Sequence, residues 1–310
     1  MTKHLLQDQI QIQQLLALAE KNGLRLSPNG LEVDESGMDF QVVFAQDETG
    51  RSWVLRKPRR ADVLERADNE RNVLELLKQR LPVAVPEWRI YTPELIAYPK
   101  LDGVPAGSVD MEQHGYVFRI DRQPLADTFV DSLARALAAL HGVDHEAAAA
   151  AGIRVLGPQE ARERFAGRMD EVKRSIGVAE ELWQRWQAWI SDDSCWPQHS
   201  ALVHGDLHPP HILVDKSQSV TGLLDWTEAE VAIPSTDFTL YSAIFGEDEL
   251  DRLLVKYEQF GGRTWPRMRE HIAEQLAAYP VLIGLFALKS GNESTMQMAR
   301  TALGLEGSAE

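Results

Sequence analysis

VHGDLHPPHILVD, residues 203–215, and VTGLLDW, residues 220–226, constrain the architecture most strongly. An apolar run ends at His204-Gly205-Asp206, and a second one begins after a short loop interrupted by two prolines. This pattern predicts two strands joined by a functional loop, since chemically active side chains concentrate on loops held by a rigid scaffold. Nineteen residues after Asp206, Asp225 follows two leucines at a strand end, so we expect both carboxylates to protrude.

The spacing of these side chains resembles that of protein kinases, which carry His-Arg-Asp with an Asn five residues after the Asp, and then Asp-Phe-Gly. The corresponding residues here are Asp206, His211 at the fifth position, and Asp225-Trp226-Thr227. The stretch is similar to the antibiotic-phosphotransferase branch of the kinase-like fold. Phosphoryl transfer needs a carboxylate to accept the proton of the attacking hydroxyl, and ligands for Mg²⁺. The resemblance implies Asp206 as the base that contacts the acceptor, with His211 and Asp225 as metal ligands.

Composition is compatible with this interpretation. The chain has 310 residues, of which 44% are apolar and 25% charged, enough for two globular lobes. A single cysteine, Cys195, excludes an internal disulfide and suits a reducing cytoplasm. We find neither a signal peptide nor a run of about eighteen apolar residues, so we expect a soluble, cytoplasmic protein without a membrane partner. A net charge of −15 argues against nucleic acid and favours a cationic small molecule.

The N-terminal part of the chain alternates between strand patterns and turn residues. A helix ends near Gly23, two hairpins give three strands up to Arg56, a helix follows from residue 59 to 79, and two further strands end at Tyr98. The resemblance then implies an α+β, two-lobed protein-kinase-like fold with a five-stranded antiparallel N-terminal sheet and a mainly helical C-terminal lobe. We predict lobes at residues 1–98 and 108–310, joined by a hinge at residues 99–107.

The kinase resemblance also implies a nucleotide site in the N-terminal lobe. Ser36 and Gly37, in the first hairpin turn, stand where a Gly-rich loop covers the phosphates, although the full glycine motif is missing. At the end of the third strand we predict Arg56 as the phosphate ligand, with Lys57 as the alternative, because successive strand residues face opposite sides. Glu70 is the expected ion-pair partner of that cation. The residues expected to flank the nucleobase are Ile96, Tyr98 and Leu101.

Further segments narrow the resemblance to macrolide 2′-phosphotransferases. These are Trp53–Arg60, Asp225–Ala229, Phe245–Glu247 and the helix beginning at Tyr279-Pro280, together with His211, where aminoglycoside kinases usually carry Asn. The resemblance implies transfer of phosphate from GTP, or ATP, to the 2′-hydroxyl of desosamine. Residues 280–290 form an apolar helix, which suits a large lactone. We expect its acceptor contacts to be Tyr279, Pro280, Leu282, Ile283 and Phe286. Asp237 matches the family acid that accepts backbone N–H groups of the catalytic loop.

Two other functions fit the same sequence. One is a kinase of the same fold with an aminoglycoside or a metabolic sugar as acceptor, whose pocket would be lined with carboxylates. The other is a catalytically silent pseudokinase. The missing Gly-rich loop favours this alternative, whereas the presence of Asp206 and Asp225 argues against it. We also predict that the stripe formed by Trp183, Trp186 and Trp189 belongs to the core.

Overall fold

The computed structural model describes residues 2–35, 39–60, 63–110 and 115–305. Ser36 and Gly37, which the sequence nominates for the phosphate loop, lie outside the described residues. Around that position, five strands form one antiparallel sheet in the order β1-β2-β3-β5-β4, which confirms the prediction. The strands are β1 (Glu32–Asp34), β2 (Phe40–Gln46), β3 (Ser52–Pro58), β4 (Ile90–Tyr91) and β5 (Ile96–Pro99).

A polar turn sets the register of the central hairpin between β2 and β3. The Asp47 carboxylate accepts hydrogen bonds from the backbone N–H of Thr49 and of Arg51, at 2.9 and 3.0 Å, and from the indole of Trp53 at 2.9 Å. The pairing runs from Gln46 opposite Ser52 to Phe40 opposite Pro58. This register points Arg56 to the same face as its neighbour Val42, because paired residues in an antiparallel sheet share a face.

Each face of the sheet is covered by one helix. Helix α1 (Thr2–Lys21) places Leu15 and Ala19 against the face that carries Leu55, and α2 (Val63–Leu77) places Val63 and Ala67 against the opposite face. Because strand side chains alternate, the two helices bury alternate residues of β3. Full burial of one aliphatic side chain such as Leu55 stabilises the fold by roughly 2 kcal/mol.

The rest of the chain is mostly helical, with short strands around the functional loop. The helices are α3 (Asp127–His141), α4 (His145–Ala150), α5 (Pro158–Ser175), α6 (Glu180–Ser191), α7 (Thr236–Phe245), α8 (Glu247–Gln259), α9 (Met268–Ala277), α10 (Pro280–Ser290) and α11 (Glu293–Ala302). The strands are β6 (Val104–Pro105), β7 (Gly107–Asp110), β8 (Gly115–Phe118), β9 (Ala201–Val203), β10 (Ile212–Val214), β11 (Val220–Leu223) and β12 (Glu230–Ala232). The two-lobed α+β prediction is confirmed.

Two hydrophobic cores support this helical part. The larger one surrounds α3, whose Phe129, Leu133 and Leu137 are fully buried, and extends to Trp226 behind the functional loop. The second lies between α5, α6 and α10, around Trp186 and Trp189. The predicted core position of the tryptophan stripe is thus confirmed for these two residues, while Trp183 is only partly buried. The functional loop is anchored in the larger core through Leu207 and Ile212.

Four short strands were not predicted from the sequence. Within the segment 99–107, β6 pairs with β10 through Pro105 opposite Leu213, and β7 and β8 form a hairpin just beyond it. Strand β12 pairs with β9. A two-residue strand containing proline carries almost no local signal, and its partner is distant in sequence. The predicted hinge therefore contributes to a sheet of the helical lobe, and its bounds remain a prediction.

One segment, Met268–Ser290, is long and apolar enough to cross a membrane by length and composition, in contrast to the expectation that no such run is present. Core helices meet the same criterion, so the indication is weak. In the structure the segment is divided into α9 and α10, with a break at Ala278-Tyr279 before Pro280. Ile272 and Val281 on these helices are fully buried in the two cores.

Candidate active site

The functional loop after β9 is held by one buried carboxylate. Asp237, at the start of α7, accepts hydrogen bonds from the backbone N–H groups of His204 and Gly205, both at 2.9 Å. This confirms the bracing role predicted for Asp237. Gly205 has φ +87°, and a Cβ atom there would lie 2.5 Å from the carbonyl oxygen of Glu228. The loop that presents Asp206 thus requires glycine at position 205.

Behind this brace lies a histidine to which the sequence analysis assigned no role. The Nε2 atom of His141 lies 3.0 Å from a carboxylate oxygen of Asp237, and its Nδ1 atom lies 2.8 Å from the hydroxyl of Tyr257. Burial alone would raise the pKa of Asp237, but the hydrogen bond and charge of His141 hold it below the usual range. His141 ends an apolar helix, and that pattern alone does not distinguish it from a packed or solvated residue.

Asp206 and Asp225 flank the same imidazole ring. The Nδ1 atom of His211 lies 2.9 Å from the carbonyl oxygen of Asp206, and its Nε2 atom lies 3.8 Å from Oδ2 of Asp225. Because a carbonyl oxygen only accepts, Nδ1 of His211 donates to it, and Nε2 faces Asp225. Both carboxylates line one cavity. The structure therefore brings the three predicted catalytic-loop residues together.

Asp225 is held in a backbone conformation that is unusual for a residue other than glycine. Its φ is +59°, and the Thr227 hydroxyl donates a 2.7 Å hydrogen bond to its Oδ1. Desolvation in the cleft would raise its pKa, but the nearby charges of His211 and Arg56 outweigh this and bring the pKa to about 2. The carboxylate is ionised at neutral pH, the state that metal coordination needs.

The donor set fits a divalent cation between the two predicted ligands. Asp225 offers oxygen, the preferred donor for Mg²⁺, and Nε2 of His211 lies 3.8 Å from that carboxylate, close enough to share an ion with it. A second grouping lies alongside: donor atoms of Asp206, His208 and His211 all lie within 4.8 Å of one another. His208 stands two residues after the predicted base, but its position in the sequence alone does not indicate a role. Burial and the neighbouring His211 lower the pKa of His208 to about 4, and Tyr116 contacts its Nδ1 at 3.0 Å.

On the opposite side of the cleft, Arg56 and Glu70 form the predicted ion pair. Nη1 of Arg56 donates to both carboxylate oxygens at 2.8 Å, and the two side chains are 9% and 0% exposed. The guanidinium also packs on the ring of Phe40, 4.0 Å from its centroid. Burial alone would lower the pKa of Arg56, but Glu70 raises it above its usual value. Lys57 faces away from this pair and is partly exposed.

The predicted nucleobase contacts lie on this side too. Ile96 pairs with Arg56 across β3 and β5, and Tyr98 pairs with Val54, so both side chains share the face of Arg56. Ile96 is fully buried and Tyr98 nearly so. Leu101 lies against Gly222 of β11, because a Cβ atom on that glycine would be 3.2 Å from a Leu101 methyl carbon. Ile96 and Tyr98 thus pack in the core beneath α2, whereas Leu101 contacts a strand of the helical lobe, and the contact of all three with a base remains a prediction.

A cavity of about 610 Å³ runs from Asp206 and Asp225 towards α5 and α10. Its α10 wall consists of Leu282, Leu285, Phe286 and Lys289, which recur at helical spacing. Two of these, Leu282 and Phe286, were predicted, whereas Leu285 and Lys289 were missed although the periodicity contains them. Ile283 packs on the second core. Tyr279 lies near the predicted base: burial raises the pKa of its hydroxyl, and the charge of Asp206 raises it further. Pro280 is the first residue of α10.

The fold and this carboxylate-lined cleft define a kinase-like small-molecule phosphotransferase. The chain belongs to the phosphotransferase enzyme family, whose model matches residues 30–271. The Bacillus subtilis protein YcbJ is 53% identical over 95% of this chain and 96% of its own length. A macrolide 2′-phosphotransferase type I has 43% identity and a TM-score of 0.87 over 96% of this chain and 97% of its own. MphH of Brachybacterium faecium, another macrolide 2′-phosphotransferase, has 41% identity and the same TM-score over 95% and 99%.

Proposed function

We propose that this phosphotransferase moves the γ-phosphate of GTP, or ATP, to the 2′-hydroxyl of the desosamine sugar of macrolides, and so confers antibiotic resistance. The two macrolide kinases that it resembles along nearly their whole length support the acceptor. The observation that carries the proposal is the shared cavity in which Asp206 and Asp225 meet an apolar wall. Its partners are then the antibiotic and a purine nucleoside triphosphate, with no nucleic acid and no membrane, and its location is the cytoplasm.

The residues divide the work of phosphoryl transfer between them. The side chain of Asp206 is 43% exposed in the cavity, which supports its role as the group that accepts the proton of the sugar hydroxyl. Asp225 and His211 would hold Mg²⁺, which neutralises charge on the phosphates. Arg56, oriented by Glu70, would grip the phosphates from the N-terminal lobe, joined by the backbone around Ser36 and Gly37. Burial of the Arg56–Glu70 pair keeps the guanidinium in one position.

The character of the cavity favours a macrolide over an aminoglycoside. An aminoglycoside carries several ammonium groups and would need a wall rich in unpaired carboxylates. Besides Asp206 and Asp225, the lining of this cavity holds Asp39, Glu228 and Glu230, but each of these three lies within ion-pair distance of an arginine. The lining also includes the cationic side chains of Arg66, Arg164, Arg168 and Lys289 and the aliphatic and aromatic groups of α10. A lactone with one amino sugar needs apolar contacts and only one nearby anion, which Asp206 supplies.

The proposal is tested by a transfer assay with purified enzyme. Erythromycin, azithromycin and kanamycin are each incubated with GTP and, separately, with ATP, and both phosphorylated product and free phosphate are measured. We expect transfer to the two macrolides and not to kanamycin. Transfer to kanamycin alone would show that the acceptor is an aminoglycoside and not a macrolide. Nucleotide hydrolysis without transfer to any of the three compounds would contradict both proposals for the acceptor.

The variant Asp206→Asn tests the role of Asp206 as the general base separately from nucleotide binding. We expect transfer to fall by at least about a hundredfold, because general base catalysis contributes on this order. Nucleotide affinity and the melting temperature should stay unchanged, since the Asp206 side chain is partly exposed. If the variant turns over at the original rate, Asp206 has no part in the mechanism.

A further inference from the structure

One arginine in the wall of the acceptor cavity differs from its neighbours in its contacts. Arg168 lies on α5, is half-buried, and lines the cavity. One turn earlier on the same helix, Arg164 donates a 2.5 Å hydrogen bond to Glu230. Arg168, by contrast, makes no hydrogen bond or ion pair with any residue in the described ranges 2–35, 39–60, 63–110 and 115–305. Its guanidinium thus depends on solvent in the cavity for hydrogen bonds.

The neighbouring carboxylates are engaged elsewhere. Glu230 accepts from both Arg154 and Arg164, at 3.2 and 2.5 Å, and Glu228 lies 3.4 Å from Arg66. Burial first, and then the charge of Arg164, lower the pKa of Arg168. An arginine nevertheless remains charged at neutral pH. Glu230 compensates the charge of Arg164, whereas no carboxylate among the described residues forms an ion pair with Arg168. Arg168 therefore brings a positive charge to this wall in a chain whose net charge is −15.

Any acceptor that fills the cavity removes water from this guanidinium. Each donor that loses water without gaining a new acceptor costs free energy, and the cost is larger for a charged group. A ligand with ester, keto or hydroxyl oxygens at this wall replaces the lost hydrogen bonds. A ligand with an ammonium group there gains none and is repelled. The wall therefore discriminates by hydrogen-bond acceptors.

We propose that Arg168 is a specificity-determining residue, which donates hydrogen bonds to oxygen atoms of a neutral acceptor body and disfavours polycationic acceptors. The inference rests on the proposed function, since it assigns one polar contact within the cavity that takes the lactone. The amino sugar would lie at the opposite end, beside Asp206. Arg168 would thus favour one orientation of the bound acceptor.

The test compares Arg168→Met with Arg168→Lys and with a matched control, Arg174→Met, in transfer to erythromycin. Arg174 lies in the last turn of the same helix, is exposed, and does not line the cavity. For Arg168→Met we expect the KM for erythromycin to rise about tenfold or more, because a hydrogen bond from a charged group is lost. The KM for nucleotide should change by less than about twofold, and Lys should restore part of the loss. The control should leave every constant unchanged.

Stability separates this role from a structural one. Removal of this half-desolvated charge should leave the melting temperature unchanged or raise it, whereas loss of a structural contact would lower it. An unchanged KM for erythromycin, or a lower melting temperature with equal loss towards nucleotide, would overturn the inference. If the unaltered enzyme does not phosphorylate erythromycin at all, the proposed function itself fails, and the variants are not needed to show it.

Discussion

The buried ion pair of Arg56 and Glu70 connects the nucleotide side of the cleft to helix α2. Both side chains are withdrawn from water, and Nη1 of Arg56 donates to both carboxylate oxygens of Glu70 at 2.8 Å. A buried pair contributes little net stability compared with apolar residues of similar size, but loss of one partner leaves an uncompensated charge. The pair is therefore sensitive to any change in a single member, and it positions Arg56 as well as holding α2 on the sheet.

The variant Glu70→Gln tests this at the residue scale. We expect it to lower the free energy of unfolding by about 3 kcal/mol, since Arg56 keeps its charge without a counter-ion. The KM for nucleotide should rise as the guanidinium loses its fixed position. Glu75→Gln, on an exposed face of the same helix, serves as the control and should do neither. Urea unfolding and nucleotide titration give the two measurements, and equal stability of both variants would contradict the argument.

The element that presents Asp206 is a loop braced by a carboxylate, and its stability should depend on pH. The pKa of Asp237 is lower in the folded chain than its ordinary value of 3.8. The folded state therefore binds this proton less readily than the unfolded chain does, so the contribution of Asp237 is complete above about pH 4 and is lost as the pH falls below it.

Comparison with Asp237→Asn makes this contribution measurable. Between pH 7 and pH 3, the midpoint of urea unfolding should fall further for the original protein than for the Asn variant, which has no carboxyl group to protonate. At pH 7 the variant should be the less stable of the two, because two backbone N–H groups lose a charged acceptor. If the stability of the two proteins had the same pH dependence, protonation of Asp237 would not contribute to it.

One side of helix α10 lines the acceptor cavity, and another side packs in the second core. Leu282 and Phe286 are 40% and 39% exposed and line the cavity, whereas Val281 is fully buried in the second core. We expect the double variant Leu282→Ala and Phe286→Ala to raise the KM for macrolide while the melting temperature changes little. Val281→Ala should instead cost about 2 kcal/mol of stability, since it leaves a cavity in a packed core. Steady-state kinetics and thermal melting of both variants check this, and a reversal of the two effects would refute it.

At the scale of the whole molecule, α2 connects the two lobes beside the site. The side-chain amide of Asn69 donates to the carbonyl oxygens of Ala229 and Thr227, at 3.0 and 3.4 Å, and Arg66 lies between Asp39 and Glu228. These contacts join the sheet lobe to the turn that follows Asp225. The position of the phosphate-binding side relative to the catalytic loop thus depends on these polar contacts and on the apolar core that Leu74 and Leu77 of α2 share with α3.

The variant Asn69→Ala should weaken this connection without damage to either lobe. We expect kcat/KM for nucleotide, measured at saturating acceptor, to fall about fivefold, which corresponds to loss of one hydrogen bond worth about 1 kcal/mol. Glu75→Ala, also on α2 but exposed, is the control. A variant as active as the control would show that the lobes are positioned by their shared apolar core alone.

Local patterns in the sequence determined much of this molecule. The helices from α3 to α11 follow their apolar spacing to within a few residues, and Asp206, His211 and Asp225 could be selected because their spacing along the chain reflects one strand–loop–strand unit. The tertiary structure alone decided which distant groups meet: β6 with β10, His141 with Asp237, Tyr116 with His208, and Arg168 with the cavity. The physical reason is that periodicity and turn chemistry act between neighbours in the chain, whereas burial and pairing of charge depend on residues that only the folded chain brings together.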